Sequence, residues 1–231
     1  MSQTPRPPKR FAPLDPQEGN VSSAPPLKGI VFDVDGTLCK PQSYMFKQMR
    51  AALSIDKSTD ILDHIYSLPH PAQEQAQAAI RAIETSAMIE QEPQPGLNEL
   101  IAYLESRSVR MGLCTRNFDG PVTHLLQTFL PGKTFAPIVT REFRPPKPDP
   151  AGILHIARAW ELDDGGEGLI MVGDSIDDMT AGHKAGTATV LLANESNGDL
   201  KEHEHTGRWI DRLDELIGVL EAGFEERGVA E

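Results

Sequence analysis

Residues 30–38 read IVFDVDGTL, a short apolar run that ends in two aspartates and a glycine. The apolar residues are typical of a strand buried in a parallel sheet, and Gly36 lets the chain turn sharply after it. Side chains at i and i+2 of an extended strand lie on the same side, so Asp33 and Asp35 share one small volume. Two such charges are unfavourable unless a cation or a shared proton offsets them. At the carboxyl edge of an open α/β sheet, where ligands bind, this pair predicts a divalent metal and a phosphate.

Three later segments place further reactive side chains at the ends of predicted strands or in a stiff loop. Residues 109–115, VRMGLCT, form a second apolar run that ends in the hydroxyl of Thr115. Residues 145–150, PPKPDP, hold Lys147 between prolines just before a predicted helix. Residues 169–178, LIMVGDSIDD, are a third apolar run that ends in carboxylates. A nucleophile, a hydroxyl, a cation and metal-binding acids therefore follow one another along the chain.

This series resembles the four motifs of the haloacid dehalogenase-like hydrolase superfamily. The first motif, DxDGT, corresponds to residues 33–37. The second is a hydroxyl after a strand, here Thr115, and the third is a lysine, here Lys147. The fourth, GDxxxD or a close variant, corresponds to residues 173–178. The order of all four carries the resemblance, since an isolated threonine or lysine is usually a solvated loop residue.

The resemblance implies a phosphatase mechanism with a covalent intermediate. Asp33 is expected to be the nucleophile, forming an aspartyl-phosphate that water then cleaves. Asp35 is expected to protonate the leaving alkoxide and then to deprotonate the attacking water. Thr115 and Lys147 are expected to bind the phosphoryl oxygens and to compensate charge in the transition state.

The resemblance also implies Mg²⁺ as the cofactor. Its expected ligands are carboxylate oxygens of Asp33 and Asp174 and the backbone carbonyl of Asp35, with Asp178 acting through a ligand water. This all-oxygen set suits a hard cation.

Two other reactions of the superfamily are disfavoured by the residues present. Members that remove halide lack an acid at the place of Asp35, because a halide leaving group needs no proton. Members that cleave phosphonates need an amine from the inserted domain. Lys47 and Lys57 are the only lysines of residues 41–94, and nothing in the sequence marks either as buried.

The alternation of strand and helix signals predicts an α/β fold, an open parallel sheet flanked by helices, with the Rossmann-like core that the superfamily has. The core is expected to comprise residues 28–40 and 95–231. Residues 41–94 interrupt this alternation with helical patterns only, and in the superfamily this place holds a small helical cap that closes on substrate. Cap helices are predicted at residues 43–53, 58–68 and 71–91. After the cap, strands are predicted at residues 109–115, 135–140, 169–174 and 188–193, with helices at 96–106, 119–130, 150–161, 177–185 and about 213–224.

Several residues outside the motifs are candidates for substrate binding. Phe46 and Arg50 lie four residues apart on the first cap helix and share a face, although Phe46 could belong to the core and Arg50 to the solvated surface. Arg116 and Asn117 follow Thr115 directly and are expected at the same sheet edge. Arg141 and Arg144, near Lys147, are further candidates. The short cap favours a small phosphorylated metabolite over a protein or a nucleic acid.

Composition limits the partners and the compartment. The 231 residues have a formal net charge of −12, which disfavours nucleic acid and anionic membranes, and no apolar run approaches a membrane span. Two cysteines, Cys39 and Cys114, fit a reducing compartment, so we expect a cytoplasmic protein, with the nucleus as an alternative location. We also expect a monomer. Residues 1–27 are rich in proline and are expected to form a flexible or surface-draped tail. The basic cluster Arg6, Lys9 and Arg10 is compatible with a mitochondrial presequence, but the prolines disfavour the amphipathic helix that one needs.

Two alternatives to a phosphatase remain open at this stage. A phosphomutase uses the same aspartyl-phosphate but slows its hydrolysis. A binding or regulatory module could keep the fold without activity. The intact Asp33, Asp35, Thr115, Lys147 and Asp174 disfavour the second alternative.

Overall fold

The computed structural model describes residues 10–14 and 23–226. A parallel sheet of six strands, in the order β3-β2-β1-β4-β5-β6, forms its centre. The strands are β1 (Gly29–Phe32), β2 (Arg110–Cys114), β3 (Ile138–Val139), β4 (Leu169–Gly173), β5 (Ala188–Leu192) and β6 (Arg208–Ile210). The helices are α1 (Ser43–Leu53), α2 (Ile61–Ser67), α3 (His70–Ile89), α4 (Leu97–Ser106), α5 (Asp119–Phe129), α6 (Ala151–Ala159), α7 (Ile176–Ala185) and α8 (Glu215–Ala222), with a 3₁₀ turn at Gly198–Glu202. The predicted α/β fold with an inserted helical cap is confirmed.

The register of the central strands aligns the ends that carry the motifs. Phe32 of β1 pairs with Leu113 of β2 on one side and with Val172 of β4 on the other. The backbone N–H of Asp33 donates to the carbonyl of Val172 at 2.9 Å. All three strands therefore end at the same edge, and their next residues meet there.

Both faces of the sheet are covered, and this is why its strands are apolar at successive residues. Phe32 belongs to a buried cluster that includes Leu100 of α4 and Leu216 of α8. Val31 points to the opposite face and belongs to a second cluster that includes Ile153 of α6. Because side chains alternate along a strand, each β1 residue packs on one of these two layers.

Residues 41–94 form a helical cap with a hydrophobic cluster of its own. Its buried residues are Met45, Met49, Ile61, Leu62, Ile65, Ala76, Ile80 and Ala87. Helix α1 has the predicted bounds. Helix α2 begins later than predicted because the Asp60 carboxylate accepts from the N–H groups of Leu62 and Asp63, which makes Asp60 the N-cap.

The strand predicted at residues 135–140 is much shorter in the structure, covering only Ile138–Val139. Ala136 donates to the carbonyl of Met111, but Pro137 has no N–H to continue a ladder. Strand β3 lies at the edge of the sheet, where proline is tolerated. The apolar pattern correctly predicted a strand here, and Pro137 limits the length of that strand.

Of the two alternatives predicted for the tail, flexible or draped over the surface, residues 10–14 follow the second, since they pack against the segment around α8. Phe11 is fully buried, and its ring centroid lies 6.0 Å from that of Phe224 after α8. Arg10 donates to Glu226 at 2.7 Å, and the N–H of Leu14 donates to the carbonyl of Leu220. An isolated aromatic residue in a proline-rich segment has no periodicity that would reveal this packing. Residues 1–9 and 15–22, with Arg6 and Lys9, lie outside the described residues.

A bilayer span would need a longer and more apolar helix than any found in residues 10–14 and 23–226.

Candidate active site

The turn after β1 brings the first motif against the fourth. Gly36 has φ +86°, a left-handed conformation that favours glycine. A Cβ on Gly36 would lie 2.2 Å from a carboxylate oxygen of Asp174, so no side chain fits there. The glycine thus allows the turn and lets the Asp174 carboxylate approach the β1 backbone.

Three carboxylates meet at this sheet edge. Single oxygens of Asp33, Asp174 and Asp178 all lie within 4.8 Å of one another. Lys147, only 4% exposed, donates from Nζ to Asp33 Oδ1 at 2.6 Å and to Asp178 Oδ1. We call these four residues the carboxylate cluster. Its members come from three separate motifs, which the parallel register brings together.

The carboxylate cluster has more negative charge than its lysine can balance. Burial raises the pKa of Asp33 to about 7, against the opposing effect of Lys147. Burial, with repulsion from Asp33 and Asp178, raises the pKa of Asp174 to about 8. Burial alone would lower the pKa of Lys147, but the Asp178 and Asp33 carboxylates raise it above its usual range. The lysine is therefore protonated, and the cluster is a site that favours an added cation.

Helix α7 holds Asp178 by its N-terminal capping. Ser175 Oγ accepts from the Asp178 N–H, and Asp178 Oδ2 accepts from the Ser175 N–H and from its hydroxyl, completing a capping box. Asp178 therefore has one oxygen on Ser175 and the other on Lys147. This engagement agrees with an indirect role toward a metal ion.

Two residues that the sequence reasoning missed hold the Asp174 segment. Asn197 donates from Nδ2 to the backbone carbonyl of Asp174 at 2.7 Å and to that of Leu192 at 3.0 Å. Asn194 Nδ2 lies 3.5 Å from Asp174 Oδ2. Both belong to the polar loop after β5, and its place at the carboxyl end of a predicted strand was the available signal.

Asp35 lies beside the cluster and has a different partner. Asn117 donates from Nδ2 to Asp35 Oδ2 at 2.8 Å, and its backbone N–H donates to Thr115 Oγ1 at 3.1 Å. Burial raises the pKa of Asp35, although the hydrogen bond from Asn117 and the charge of Lys147 oppose this. A carboxyl group with a raised pKa and a fixed orientation is suited to proton transfer.

The structure pairs Arg116 with two carboxylates. Its guanidinium donates to Asp60 of the cap at 2.6 Å and to Asp177 at the start of α7. Arg116 also lines the cavity described below. Asp60 and Asp177 were not candidates in the sequence, because nothing in their own segments indicates this partner.

Arg141 and Glu84 form the most deeply buried ion pair between core and cap among the described residues. Arg141 follows β3, Glu84 lies on α3, and their side chains are 6% and 5% exposed. The two guanidinium nitrogens donate to the two carboxylate oxygens at 2.6 and 2.8 Å. Arg144, the other candidate of this loop, is exposed and lies over the Tyr66 ring, 3.5 Å from its centroid.

A cavity of about 480 Å³ lies between the sheet edge and the cap. Most predicted site residues line it, and Asp178 lies behind Lys147 and does not. Phe46, 45% exposed, belongs to the cavity wall and not to the cap core. Arg50 also lines the wall, and its Nε is buried without a hydrogen-bond partner among the described residues. The cavity-lining residues from the cap include Met45, Phe46, Met49, Arg50, Asp60, Ile61, Leu62, Ile80 and Glu84.

Comparisons with known proteins agree with this geometry. A family model for haloacid dehalogenase-like hydrolases matches residues 27–186. The chain belongs to this family. An uncharacterized hydrolase of Saccharomyces cerevisiae is 44% identical over 201 residues, which cover 84% of this chain and 91% of the yeast protein. A phosphoglycolate phosphatase of Nitrosococcus oceani is 36% identical over 130 residues, 54% of this chain and 56% of its own length.

The fold of this haloacid dehalogenase-like hydrolase also matches solved structures. A family IA hydrolase from Entamoeba histolytica superposes with a TM-score of 0.69 at 17% identity, covering 84% of this chain and 97% of that one. At this identity the match concerns the fold alone.

The residues at the sheet edge fit the divalent metal that the family implies. Asp33 and Asp174 offer oxygen ligands, and their pKa values are raised first by burial and then by repulsion between the carboxylates, both of which a bound cation would offset. Neither histidine nor cysteine belongs to this acidic group, so a hard cation such as Mg²⁺ suits it better than a soft one.

Proposed function

We propose that this hydrolase is a Mg²⁺-dependent phosphatase that cleaves a phosphomonoester of a small metabolite. The observation that carries the proposal is that Asp33, Lys147 and Asp174 of the carboxylate cluster line one cavity under the cap, with Asp35 beside them. Asp33 is the proposed nucleophile: it attacks phosphorus, the bond to the leaving oxygen breaks, and an aspartyl-phosphate forms. Water then attacks phosphorus and releases inorganic phosphate and free Asp33.

Asp35 is the proposed general acid and base. It gives its proton to the leaving alkoxide in the first step and takes a proton from the attacking water in the second. Asn117 orients this carboxyl group through its 2.8 Å hydrogen bond. The raised pKa of Asp35 supports the acid role, because the carboxyl must be protonated when substrate arrives.

Lys147 and Thr115 are proposed to bind the phosphoryl oxygens. Lys147 is fixed by Asp33 and Asp178, so its charge is already oriented before substrate binds. Thr115 directly follows β2, lines the same cavity as Asp33 and Lys147, and is 4% exposed. Asp33, Asp174 and the Asp35 carbonyl are the proposed Mg²⁺ ligands, with Asp178 acting indirectly. When bound, the cation neutralises charge on the phosphoryl oxygens.

Phe46 and Arg50 of the cap, together with Arg116 of the core, are proposed to select the leaving group. The cavity of about 480 Å³ has the size of small-molecule sites, which supports a small phosphorylated metabolite as substrate. The phosphoglycolate phosphatase of Nitrosococcus oceani acts, by its name, on such a substrate. We propose that the protein is a cytoplasmic monomer. Its two cysteines are buried free thiols, which supports a reducing compartment.

The proposal is tested by hydrolysis of p-nitrophenyl phosphate with and without Mg²⁺, in the wild type and in Asp33→Asn. We expect metal-dependent release of p-nitrophenol that the variant loses. A panel of phosphorylated metabolites then ranks substrates, and transfer of the phosphoryl group to a second hydroxyl of the same sugar would favour the phosphomutase alternative. Folded wild-type protein that releases no phosphate with Mg²⁺ from any of these esters would contradict a phosphatase.

A further inference from the structure

The cations that line the cavity differ in their partners. Lys147 contacts two carboxylates, Asp33 and Asp178. Arg116 also contacts two, from the cap and from α7. Arg141 donates to both oxygens of Glu84. These three cations are thus neutralised by the protein itself.

Arg50 is the exception among the described residues. It lies in the last turn of α1, lines the cavity, and forms no ion pair with a described carboxylate. Its Nε is buried and has no hydrogen-bond partner in the described part of the chain. A buried donor without a partner is unfavourable, and more so on a charged group. A ligand that offers an acceptor to Arg50 would remove this penalty.

The surroundings of Arg50 strengthen its attraction for an anion. Four apolar side chains of the cap, Met45, Met49, Ile61 and Ile80, line the same cavity, and its two cap carboxylates, Asp60 and Glu84, are paired with Arg116 and Arg141. Charges in a poorly hydrated site interact more strongly than in bulk water. The guanidinium has planar donors that match a carboxylate or a phosphate.

We infer that Arg50 binds a second anionic group of the substrate, carried by the leaving part of the molecule. The substrate class is then a small phosphomonoester with a carboxylate or a further phosphate at its other end. This inference rests on the proposed function, since the first phosphate must lie at Asp33. Arg50 thereby acts as a specificity-determining residue, while Phe46 packs beside the carbon skeleton between the two anions.

Pairs of esters that differ only in the second anion test the inference. Phosphoglycolate and ethyl phosphate share a two-carbon skeleton and differ in the carboxylate. Propane-1,3-diol bisphosphate and propyl phosphate differ in the second phosphate. We expect kcat/KM to be higher for the anionic member of at least one pair by about tenfold to a hundredfold, the range of one hydrogen-bonded charge. The pair with the larger difference in kcat/KM shows whether the second anionic group is a carboxylate or a phosphate.

Variants of α1 assign this preference to Arg50. Arg50→Met keeps an unbranched side chain but removes the charge, and it should abolish the preference while p-nitrophenyl phosphate is still hydrolysed. Arg50→Lys should retain part of the preference because it retains the charge. The matched control is Lys47→Met, an exposed cation on the same helix, which should leave the preference unchanged.

A binding experiment separates failure of this inference from failure of the phosphatase proposal. Calorimetric titration of Asp33→Asn with each ester in the presence of Mg²⁺ requires no turnover, and Asp33→Asn combined with Arg50→Met should lose the affinity difference within each pair. If wild-type protein hydrolyses nothing but this difference is found, the inference about Arg50 stands and the phosphatase proposal fails. Equal kcat/KM and equal affinity within both pairs, or a preference that Arg50→Met retains, would overturn the inference.

Discussion

The carboxylate cluster and the contact between cap and core handle buried charge in opposite ways. In the cluster, three carboxylates lie around one lysine, and burial together with their mutual repulsion raises the pKa of Asp33 and of Asp174. At the cap contact, Arg141 and Glu84 match one to one, with two hydrogen bonds and almost no exposure.

This difference separates a reactive site from a structural link. The unbalanced charge of the cluster would be offset by an added cation, as the proposed metal site requires. The charges of Arg141 and Glu84 balance each other without a ligand, and this pair holds the loop after β3 against α3. Glu84 does show the cost of its burial, because desolvation raises its pKa while Arg141 opposes the rise.

The largest expected effect comes from removing the only cation of the cluster. Lys147→Met leaves Asp33 and Asp178 without their shared donor, so we expect kcat for p-nitrophenyl phosphate to fall by about 10²–10³-fold. Steady-state kinetics measure this. Lys133→Met, which removes a half-buried surface lysine paired with Glu105, is the control and should keep its kcat. A Lys147→Met enzyme with near wild-type kcat would show that the cluster does not act as a unit.

The buried pair predicts a large effect on stability. Glu84→Gln or Arg141→Met alone should reduce the free energy of unfolding by about 3–5 kcal/mol, because each leaves the other side chain without its buried partner. Glu84→Gln combined with Arg141→Met should restore much of the loss, since neither buried charge is then left unpaired. Urea denaturation of the four proteins of the cycle measures the coupling. Strictly additive losses would mean that the pair is not coupled, contrary to its bidentate geometry.

Metal dependence should change with pH in the direction set by the cluster. With native pKa values of about 7 for Asp33 and about 8 for Asp174, against 3.8 for an ordinary aspartate, the metal-free native state holds more protons than the unfolded state in this window. Its free energy of unfolding therefore falls as pH rises from about 4 to about 8. Mg²⁺ needs the ionised carboxylates, so we expect it to raise Tm more at alkaline than at mildly acidic pH.

Thermal unfolding with and without Mg²⁺, at one mildly acidic and one alkaline pH, checks this expectation. Asp174→Asn is the matched variant, since it removes a proposed ligand together with a carboxyl whose pKa is raised to about 8. An equal rise of Tm in the wild type at both pH values would contradict the linkage, and an equal rise in the variant would contradict the ligand assignment.

The smallest effect is expected at Arg116. Its side chain is 26% exposed, so water and salt screen its pairs with Asp60 and Asp177, and Arg116→Gln should change the free energy of unfolding by only about 0–1 kcal/mol. We expect KM to rise severalfold, because the cap loses a link to the loop that carries Thr115. Arg158→Gln, on the exposed side of α6, is the control. A loss of stability as large as that of Glu84→Gln would show that exposure does not separate the two links.

The two cysteines, like the Arg141–Glu84 pair, have a structural environment and not a reactive one. Burial raises the pKa of Cys114 to about 11 and also raises the pKa of Cys39. Thiols that stay protonated react slowly with oxidants, so the structure gives no support to a redox role.

The sequence by itself determined the sheet and the identity of the cluster. Asp33, Thr115 and Asp174 each follow a buried strand, and parallel strands end at a common edge, so local pattern sufficed to place them together. Helix α1 was likewise predicted to its bounds because its apolar residues repeat with helical spacing.

Only the tertiary structure decided which distant residues become partners and what covers the cluster. Glu84, Asp60 and Phe11 find their partners across large distances in sequence, through packing that no local period encodes. The same holds for the cavity, whose shape depends on how the cap lies on the core. Whether Arg50 faces solvent or a closed cavity was therefore decided by that packing, since spacing along a helix specifies a face but not what covers it.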